Sequence, residues 1–309
     1  MDLITIASWI SMSIRLSIPI LFAALGGLIL FKTGVFNLGL EAMMLTGAFL
    51  GFYGVLITGS PWVGLLLAII GGAVLGLLLA YVTVSLGGNQ LVIGLGMNFF
   101  ALGLTGFFYR MLCSAGLLTD TTKTANFSSI HIPFFGKLPI LGEIFFDHNF
   151  LTYLAILLVI FVSWFFYKTT YGLSLRSVGE SPETADAAGI NVYLIRYIAA
   201  IVSGILAATG GAFLTLTQVT RFSENITDGR GWIALAVIIF GKYTPWGTLW
   251  ASLIFGAGFA LVLQLQVMGV KIPIQIVQML PYILTIAALI GVVGKVRGPS
   301  ALGKHYVKN

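Results

Sequence analysis

Charged residues and cysteines are scarce in this sequence, and both shortages restrict what the chain can be. Only 8% of its 309 residues are charged, while 58% are hydrophobic. Soluble domains, by comparison, carry about 25% charged residues. Such a chain cannot cover a water-facing surface, so we expect a membrane protein in contact with lipid. Its one cysteine, Cys113, excludes an internal disulfide and any metal site made of several cysteines.

The sequence also lacks the motifs of an enzyme. Its Gly-Lys pairs at 136–137 and 294–295 are followed by Leu and Val, whereas a phosphate-binding loop uses Ser or Thr there to hold Mg²⁺. The histidines His131, His148 and His305 have no metal-ligand spacing. The net charge of +6 fits residues that flank membrane spans, because no basic cluster contains interleaved aromatics. We therefore expect no catalytic residue, metal site, cofactor or nucleic-acid partner.

Long apolar runs predict membrane-spanning helices. Because roughly 20 apolar residues cross the hydrocarbon core, the sequence predicts an all-α polytopic bundle of about 8–10 spans. A shorter run, Trp232–Phe240, is typical of half of a broken helix buried inside a protein. The segment before Arg15 is either an interfacial helix or an extension of the first span. The expected spans are Ile14–Phe31, Val35–Ile57, Trp62–Ser85, Leu91–Leu112, Phe150–Tyr167, Arg196–Gln218, Trp246–Val267 and Ile272–Val293.

Small residues four positions apart recur along these spans. They predict close helix packing, since lipid gives apolar helices no hydrophobic reason to associate and small side chains let backbones approach. A moving interface between helices is the alternative interpretation. The pairs are Gly47 and Gly51, Gly72 and Gly76, Gly204 and Ala208, and Ala207 and Gly211.

Few polar side chains lie inside the expected spans, and each needs a partner because an unpaired polar group is costly in hydrocarbon. Glu41 is the clear acidic residue, with Asn37 one turn earlier. Asn98 lies inside the fourth span and Gln90 near its start. These four residues either tie helices together by hydrogen bonds or contact the path of a transported solute. Phe99, beside Asn98, either packs between helices or offers a stacking surface to a planar solute.

Lysine and arginine residues set the expected orientation. The cluster from Lys295 to Lys308 favours a cytoplasmic C-terminal tail, with the loop at residues 168–195 on the same side. Residues 113–149 then form an extracellular loop, and the N-terminus lies outside. No linker or low-complexity tract divides the chain, so we expect residues 1–309 to form one transmembrane domain.

The cytoplasmic loop contains one short helix with both ends marked. Ser181 is a typical N-cap residue, Pro182 fits the first helical position and Gly189 is a typical left-handed terminator. A helix of about two turns is not stable alone in water, so it needs a surface to lie against. Arg176 before it and Arg196 after it carry the positive charge that marks a cytoplasmic face. The sequence therefore predicts a docking element carried by a membrane protein.

Three segments resemble one family of membrane proteins. The loop ESPETADAAGINV, followed by RYIAAIVSGILAATGGA, resembles the coupling region of bacterial ABC importer permeases that serve simple sugars, nucleosides and riboflavin-like solutes. Two further motifs of these permeases are similar to KTGVFNLGLEAMMLTGAFLG, from Lys32 to Gly51, and to GRGWIALAVIIFGKYTPWGTLWASLIFG, from Gly229 to Gly256. The segments keep the expected order and are distributed over most of the chain.

The resemblance implies a permease subunit of the bacterial inner membrane that works with partners. These are ATPase subunits, which bind ATP and Mg²⁺, a second homologous permease subunit that forms a pair with this chain, and an extracytoplasmic substrate-binding lipoprotein. In that group the loop helix inserts into a cleft of the ATPase. We expect Glu183 and Asp186 as polar contacts there, with Ala185, Ala187 and Ala188 as the close-packed face. The residues assigned to coupling are Ser181, Pro182, Glu183, Ala185, Asp186, Ala187, Ala188 and Gly189.

The resemblance favours nucleosides as the solute, with riboflavin or a simple sugar as the rival within the same architecture. An ATP-independent secondary carrier or channel is the competing class, and a receptor or scaffold is a third. A carrier driven by ions normally has ionisable residues within its spans. In this chain the acidic residues Glu180, Glu183 and Asp186 cluster on the loop instead. That distribution favours an energy source outside the chain.

Overall fold

The computed structural model describes residues 3–117, 125–131, 142–267, 279, 283 and 298–306. The expected eighth span, Ile272–Val293, lies outside the described residues except at positions 279 and 283. Of the expected extracellular loop at 113–149, the described parts include a short antiparallel pair of strands. These are β1 (Ser129–His131) and β2 (Asp147–Asn149).

Helices make up most of the described chain. Three π-helical turns, Tyr81–Ser85, Gly142–Phe146 and Leu214–Gln218, continue or connect them. The helices are α1 (Leu3–Phe31), α2 (Leu40–Thr58), α3 (Pro61–Ala80), α4 (Gln90–Ser114), α5 (Phe150–Lys168), α6 (Thr170–Glu180), α7 (Pro182–Ala187), α8 (Val192–Phe213), α9 (Arg230–Phe240) and α10 (Pro245–Val267).

Seven of the described helical segments are long and apolar enough to cross a membrane, which confirms the all-α polytopic bundle. The eleven residues of α9 extend only about 17 Å, roughly half the thickness of the hydrocarbon core. The prediction of a short helix at Trp232–Phe240 is therefore confirmed. The seven segments are Ile6–Phe31, Leu40–Thr58, Pro61–Ser85, Gln90–Ser114, Phe150–Lys168, Val192–Gln218 and Pro245–Val267.

The second span begins later than the sequence predicts. We expected it from Val35, but helix α2 begins at Leu40. The side chain of Asn37 accepts a hydrogen bond from the Gly39 amide at 2.7 Å. Such a local bond from an asparagine offers the backbone an alternative to the helix, so residues 35–39 stay non-helical.

The sixth span begins earlier than the sequence predicts, and the first is longer. Helix α8 begins at Val192 and not at Arg196, because Asn191 caps it by accepting a hydrogen bond from the Leu194 amide at 3.0 Å. Helix α1 is continuous from Leu3, so the segment before Arg15 is an extension of the first span.

Helices α1, α2 and α8 form the centre of the bundle. In the most apolar stretch of each helix, 83% of the α1 residues, 72% of the α2 residues and 78% of the α8 residues are buried, against 28% of the α4 residues. The backbones of α2, α3 and α8 approach closely at small residues. A Cβ atom at Gly47 would collide with the Ala208 carbonyl, and one at Gly72 with the Gly204 carbonyl. Close packing, predicted from the small-residue pairs, is confirmed.

We call the end of the bundle that carries Gly34 and Gly179 the inner face. The 298–306 segment lies there, with Ala301 donating to the Gly179 carbonyl at 3.0 Å and Gly303 donating to the Gly34 carbonyl at 2.9 Å. Helices α6 and α7 lie at the same end. This grouping agrees with the expected cytoplasmic side, and the orientation across the membrane stays a prediction.

The contact between α2 and α8 gives the first testable prediction. A Cβ atom at Gly211 would collide with the Met44 carbonyl, whereas one at Gly103 on α4 would meet nothing within 4 Å. We expect Gly211→Ala to destabilise the isolated chain by about 1–3 kcal/mol through overpacking. Gly103→Ala should preserve or slightly raise stability, because alanine favours helix by about 1 kcal/mol. Thermal unfolding of both variants in detergent measures the difference, and equal melting temperatures would contradict the packing.

Candidate functional site

A buried carboxylate joins two helix starts inside the bundle. Glu41, in the first turn of α2, is only 7% exposed. Its side chain accepts hydrogen bonds from the Thr227 hydroxyl at 2.5 Å, the Gly229 amide at 3.1 Å and the Gly231 amide at 2.6 Å. Helix α9 begins at Arg230, so these amides belong to its unpaired N-terminal end. The carboxylate satisfies them and offsets the positive end of the helix dipole.

The two helix starts approach so closely that only glycine fits at one position. A Cβ atom at Gly231 would lie 2.5 Å from the Glu41 Cα atom and 2.7 Å from its Oε2 atom. The absence of a side chain therefore permits the short bond from the Gly231 amide to the carboxylate. Glu41 therefore ties α2 to residues 227–231. Asn37, one turn earlier, bonds other residues instead.

Two amides on α4 hold the non-helical segment before α2. The Asn98 side chain accepts from the Ala42 amide at 2.9 Å and donates to the Leu38 carbonyl at 3.0 Å. The Gln90 side chain accepts from the Phe36 amide at 2.6 Å. Non-helical backbone is tolerated at membrane depth only where protein or water satisfies it. Within residues 35–39, these bonds satisfy the Phe36 amide and the Leu38 carbonyl.

Asn37 completes this polar group around the start of α2. It is fully buried, and its amide nitrogen lies 3.5 Å from both the Met43 sulfur and the Ser203 hydroxyl. The structure thus brings Asn37, Glu41, Gln90 and Asn98 together, each in hydrogen bonds within the chain. Whether any of them contacts a solute stays a prediction.

Phe99 lies apart from this group, on the outward side of α4. Its side chain is 74% exposed and lines a cavity of about 780 Å³. Gly103, Phe107 and Asn225 also line this cavity, together with an ion pair. We call the surface around it the α4 face.

An ion pair lies at the end of the α4 face that is farther from the inner face. The Arg110 guanidinium donates two hydrogen bonds to the Glu224 carboxylate, each 2.8 Å long. These bonds lower the pKa of Glu224, so the pair is charged at neutral pH. Sequence reasoning missed this pair, because 114 residues separate its members and no local pattern relates them. Within the described ranges, no group of three or more His, Cys, Asp or Glu residues could hold a metal ion.

The short helix of the inner face forms as its sequence predicts. Helix α7 spans Pro182–Ala187, with Ser181 at the N-cap and proline at the first position. The Ser181 hydroxyl is 2.8 Å from the Thr184 hydroxyl and makes no hydrogen bond to a backbone amide. Gly189 ends the turn at a φ of +82°, a left-handed conformation that suits glycine.

The faces of α7 differ from expectation at one position. Glu183, Ala187 and Ala188 are exposed, but Ala185 is only 3% exposed and packs against Val178, Val192 and Tyr306. Ala185 follows Pro182 by three residues, so both lie on the side of the helix that faces the chain's own core. The expectation that Ala185 belongs to a docking face with Ala187 and Ala188 is therefore wrong, because Ala185 is buried in the chain's own core.

Arg196 is also placed differently from expectation. We expected it to mark the cytoplasmic surface, but its side chain is 1% exposed. Its Nε atom donates to the Thr33 carbonyl at 3.2 Å, and its guanidinium lies 5.9 Å from the centre of the Tyr306 ring. A long apolar stem and a planar head allow arginine to be buried against an aromatic ring.

The hydrogen bonds of Glu41 give the second prediction. Glu41→Ala removes the acceptor of three donors, two of them buried, so we expect the chain to lose about 2–4 kcal/mol of stability. Glu41→Gln keeps one acceptor oxygen and should lie between this variant and the native chain. Asp228→Asn, an exposed change in the adjacent loop, is the control and should unfold at the native temperature. If Glu41→Ala unfolds at the same temperature as Asp228→Asn, the carboxylate does not stabilise α9.

Comparisons with known proteins agree with these features. A family model described as branched-chain amino acid transport system / permease component matches residues 9–298. The guanosine ABC transporter permease protein NupQ of Bacillus subtilis is 38% identical over 100% of this chain and 99% of its own. The nucleoside ABC transporter permease protein NupC of Lactococcus lactis subsp. cremoris is 35% identical, covering 95% of this chain and 94% of its own.

Other matches extend the range of relatives. The putative glucose ABC transporter permease protein TsgC13 of Haloferax volcanii is 34% identical, covering 97% of each chain. Second permeases of the first two organisms, NupP and NupB, are each 26% identical to this chain. No solved structure shows a significant match.

The family match and the apolar helices lead to one conclusion. The matched region covers nearly the whole chain, and NupQ matches it from end to end. Seven apolar helices long enough to cross a membrane agree with a multi-pass protein of the bacterial inner membrane. The chain belongs to the family of branched-chain amino acid transport system permease components.

Proposed function

We propose that this chain is the membrane-spanning subunit of an ATP-driven importer of nucleosides. The exposed side of α7 is the observation that carries the proposal. A helix of six residues holds Glu183, Ala187 and Ala188 away from the chain's own core, where a partner protein has access to them. ATPase subunits that bind ATP and Mg²⁺ would dock there, and this chain itself would carry out no hydrolysis.

Nucleosides are the favoured solute because NupQ and NupC carry guanosine and nucleoside in their names. The glucose permease among the relatives supports a simple sugar as the rival. Riboflavin remains a second rival, on the resemblance of the sequence motifs alone. An ATP-independent carrier or channel is the competing class.

Coupling would work by differential binding. The ATPase can shift the permease between two conformations only if it binds them with different affinity. Movement of α7 would reach the spans through α6, whose Gly179 packs against the Lys32 carbonyl at the end of α1. The spans would then expose a central path alternately to the two sides of the membrane.

The α4 face is our candidate for one wall of that path. Helix α4 is the least buried of the seven spans. An added Cβ atom at either of two of its glycines, Gly96 and Gly103, would meet no other atom within 4 Å. A second permease subunit would cover this face, as the paired permeases of two related systems suggest. An extracytoplasmic substrate-binding lipoprotein would deliver the solute to its outer end.

The lining of the α4 face suits a nucleoside. Phe99 and Phe107 offer aromatic surface on which a base can stack, and Asn225 and the ion pair of Arg110 with Glu224 offer polar groups for ribose hydroxyls. Asn37, Glu41, Gln90 and Asn98 make hydrogen bonds within the chain. We assign these four residues the task of holding the starts of α2 and α9 behind this wall.

Docking through α7 gives the third prediction. We expect the tagged chain to co-purify with an ATPase from its native cell in mild detergent. Glu183→Arg should reduce the recovered ATPase by about tenfold or more, because a repulsive charge at an interface costs several kcal/mol. Replacing residues 181–189 with a flexible linker should abolish the recovery.

Lys304→Glu is the control for this measurement, as a charge reversal at an exposed residue of the same inner face outside α7. It should recover the native amount of ATPase. An intact, folded native chain that brings down no ATPase would contradict the proposal, and the ATP-independent carrier would then lead.

Stacking on the α4 face gives the fourth prediction. Phe99→Ala should raise the KM for nucleoside uptake by roughly threefold to tenfold, as expected for loss of one aromatic stacking contact. The amount of co-purified ATPase should not change. Phe161→Ala removes a ring that is 53% exposed on α5, away from the cavity, and should leave the KM unchanged. An equal effect of the two variants would exclude a stacking role for Phe99.

A further inference from the structure

The 298–306 segment touches several connections of the inner face. Besides its backbone bonds to Gly179 and Gly34, it bonds the end of α6 through Ser300. The Ser300 hydroxyl donates to the Glu180 carboxylate at 2.7 Å, and its amide donates to the same oxygen at 3.2 Å. Gly298 packs against the Tyr243 ring between α9 and α10. The segment therefore spans the inner face from the coupling loop to the transmembrane helices.

One end of the segment holds α7. Tyr306 is 5% exposed and packs in a cluster with Ala185, the buried residue of α7. Burial raises the pKa of the Tyr306 hydroxyl, and the neighbouring Asp186 side chain raises it further. The Tyr306 ring centre is 6.0 Å from that of Tyr193 and 5.9 Å from the Arg196 guanidinium. The side of α7 opposite the proposed docking face thus rests on this tyrosine.

The ring of Tyr306 also partners a charge that is otherwise poorly satisfied. The Nη2 atom of Arg196 is buried and has no hydrogen-bond partner among the described residues. A guanidinium over an aromatic face gains electrostatic stabilisation, more so where water is excluded. This contact fixes the tyrosine against α8 as well as against α7.

The adjacent residue connects the segment to the wall of the proposed path. The His305 ring lies against Gly87, where a Cβ atom would be 2.9 Å from its Nε2 atom. Gly87 has a φ of +68° and precedes the start of α4 by three residues. His305, Gly87 and Gln90 line a second cavity of about 520 Å³ at this point. Neighbouring residues 305 and 306 therefore contact the loop that leads into α4 and the buried side of α7.

We propose that the 298–306 segment passes movement of α7 to the start of α4, with Tyr306 and His305 as its positioning residues. The proposal rests on the proposed function, since it assigns a role to movement that docked ATPases would cause. Docking and coupling are separate in this arrangement. The exposed side of α7 binds the ATPase, and its buried side rests on Tyr306.

Variants of the complete importer complex test this separation. We expect Tyr306→Ala and His305→Ala to recover the native amount of ATPase and to hydrolyse ATP, while nucleoside uptake per ATP hydrolysed falls by about tenfold, within the range of allosteric coupling energies. Tyr306→Phe keeps the ring and should restore at least half of the native ratio. Lys304→Ala, an exposed change between these contacts and Gly303, should leave the ratio unchanged.

The possible failures of the two proposals are distinguishable. If the native chain recovers no ATPase, the proposed function fails before the variants are compared. If the native complex forms and both variants keep the native uptake per ATP, the 298–306 segment does not couple. A parallel loss of recovered ATPase and uptake also overturns the inference, because the segment would then only support docking. His305 is exposed, so His305→Ala decides the result if Tyr306→Ala does not accumulate as folded protein.

Discussion

The requirement that every backbone group be satisfied inside a membrane explains why Glu41 is central to this structure. Helix α9 is too short to cross, so its N-terminal amides lie within the bundle. The Glu41 carboxylate accepts hydrogen bonds from two of the amides at this helix start and from a nearby hydroxyl. In the other irregular segment, at residues 35–39, Gln90 bonds the Phe36 amide and Asn98 bonds the Leu38 carbonyl. Three polar side chains thus permit two breaks in helical structure.

The bundle has a closely packed centre and two exposed surfaces. Helices α1, α2, α3 and α8 meet at glycines whose replacement would force backbones apart, so the centre tolerates little change. The α4 face and the exposed side of α7 lack such contacts among the described residues. A permease that works with other subunits needs both properties, a scaffold that holds its shape and surfaces that partners can cover. The 298–306 segment contacts α7 through Tyr306 and the loop before α4 through His305.

Local signals in the sequence predicted much of this arrangement. Apolar length predicted seven described spans and the short α9, and the cap residues Ser181 and Gly189 predicted the short helix α7 between them. The apolar run from Val35 predicted an earlier start for α2. The local bond of Asn37 to the Gly39 amide, which delays the start to Leu40, is not visible in apolar length. The inward side of Ala185 and the pairing of Arg110 with Glu224 depend on contacts between distant residues. No periodicity or spacing in one sequence records such contacts.

The source of energy for transport is the most direct test of the account. Uptake of a labelled nucleoside would be measured in cells that contain the chain and its partners. One sample would be depleted of ATP with its ion gradients maintained, and the other would keep ATP while the gradients are collapsed. An ATP-driven permease should lose uptake without ATP and keep it without the gradients. Uptake that survives ATP depletion and stops when the gradients collapse would contradict it and would identify a secondary carrier.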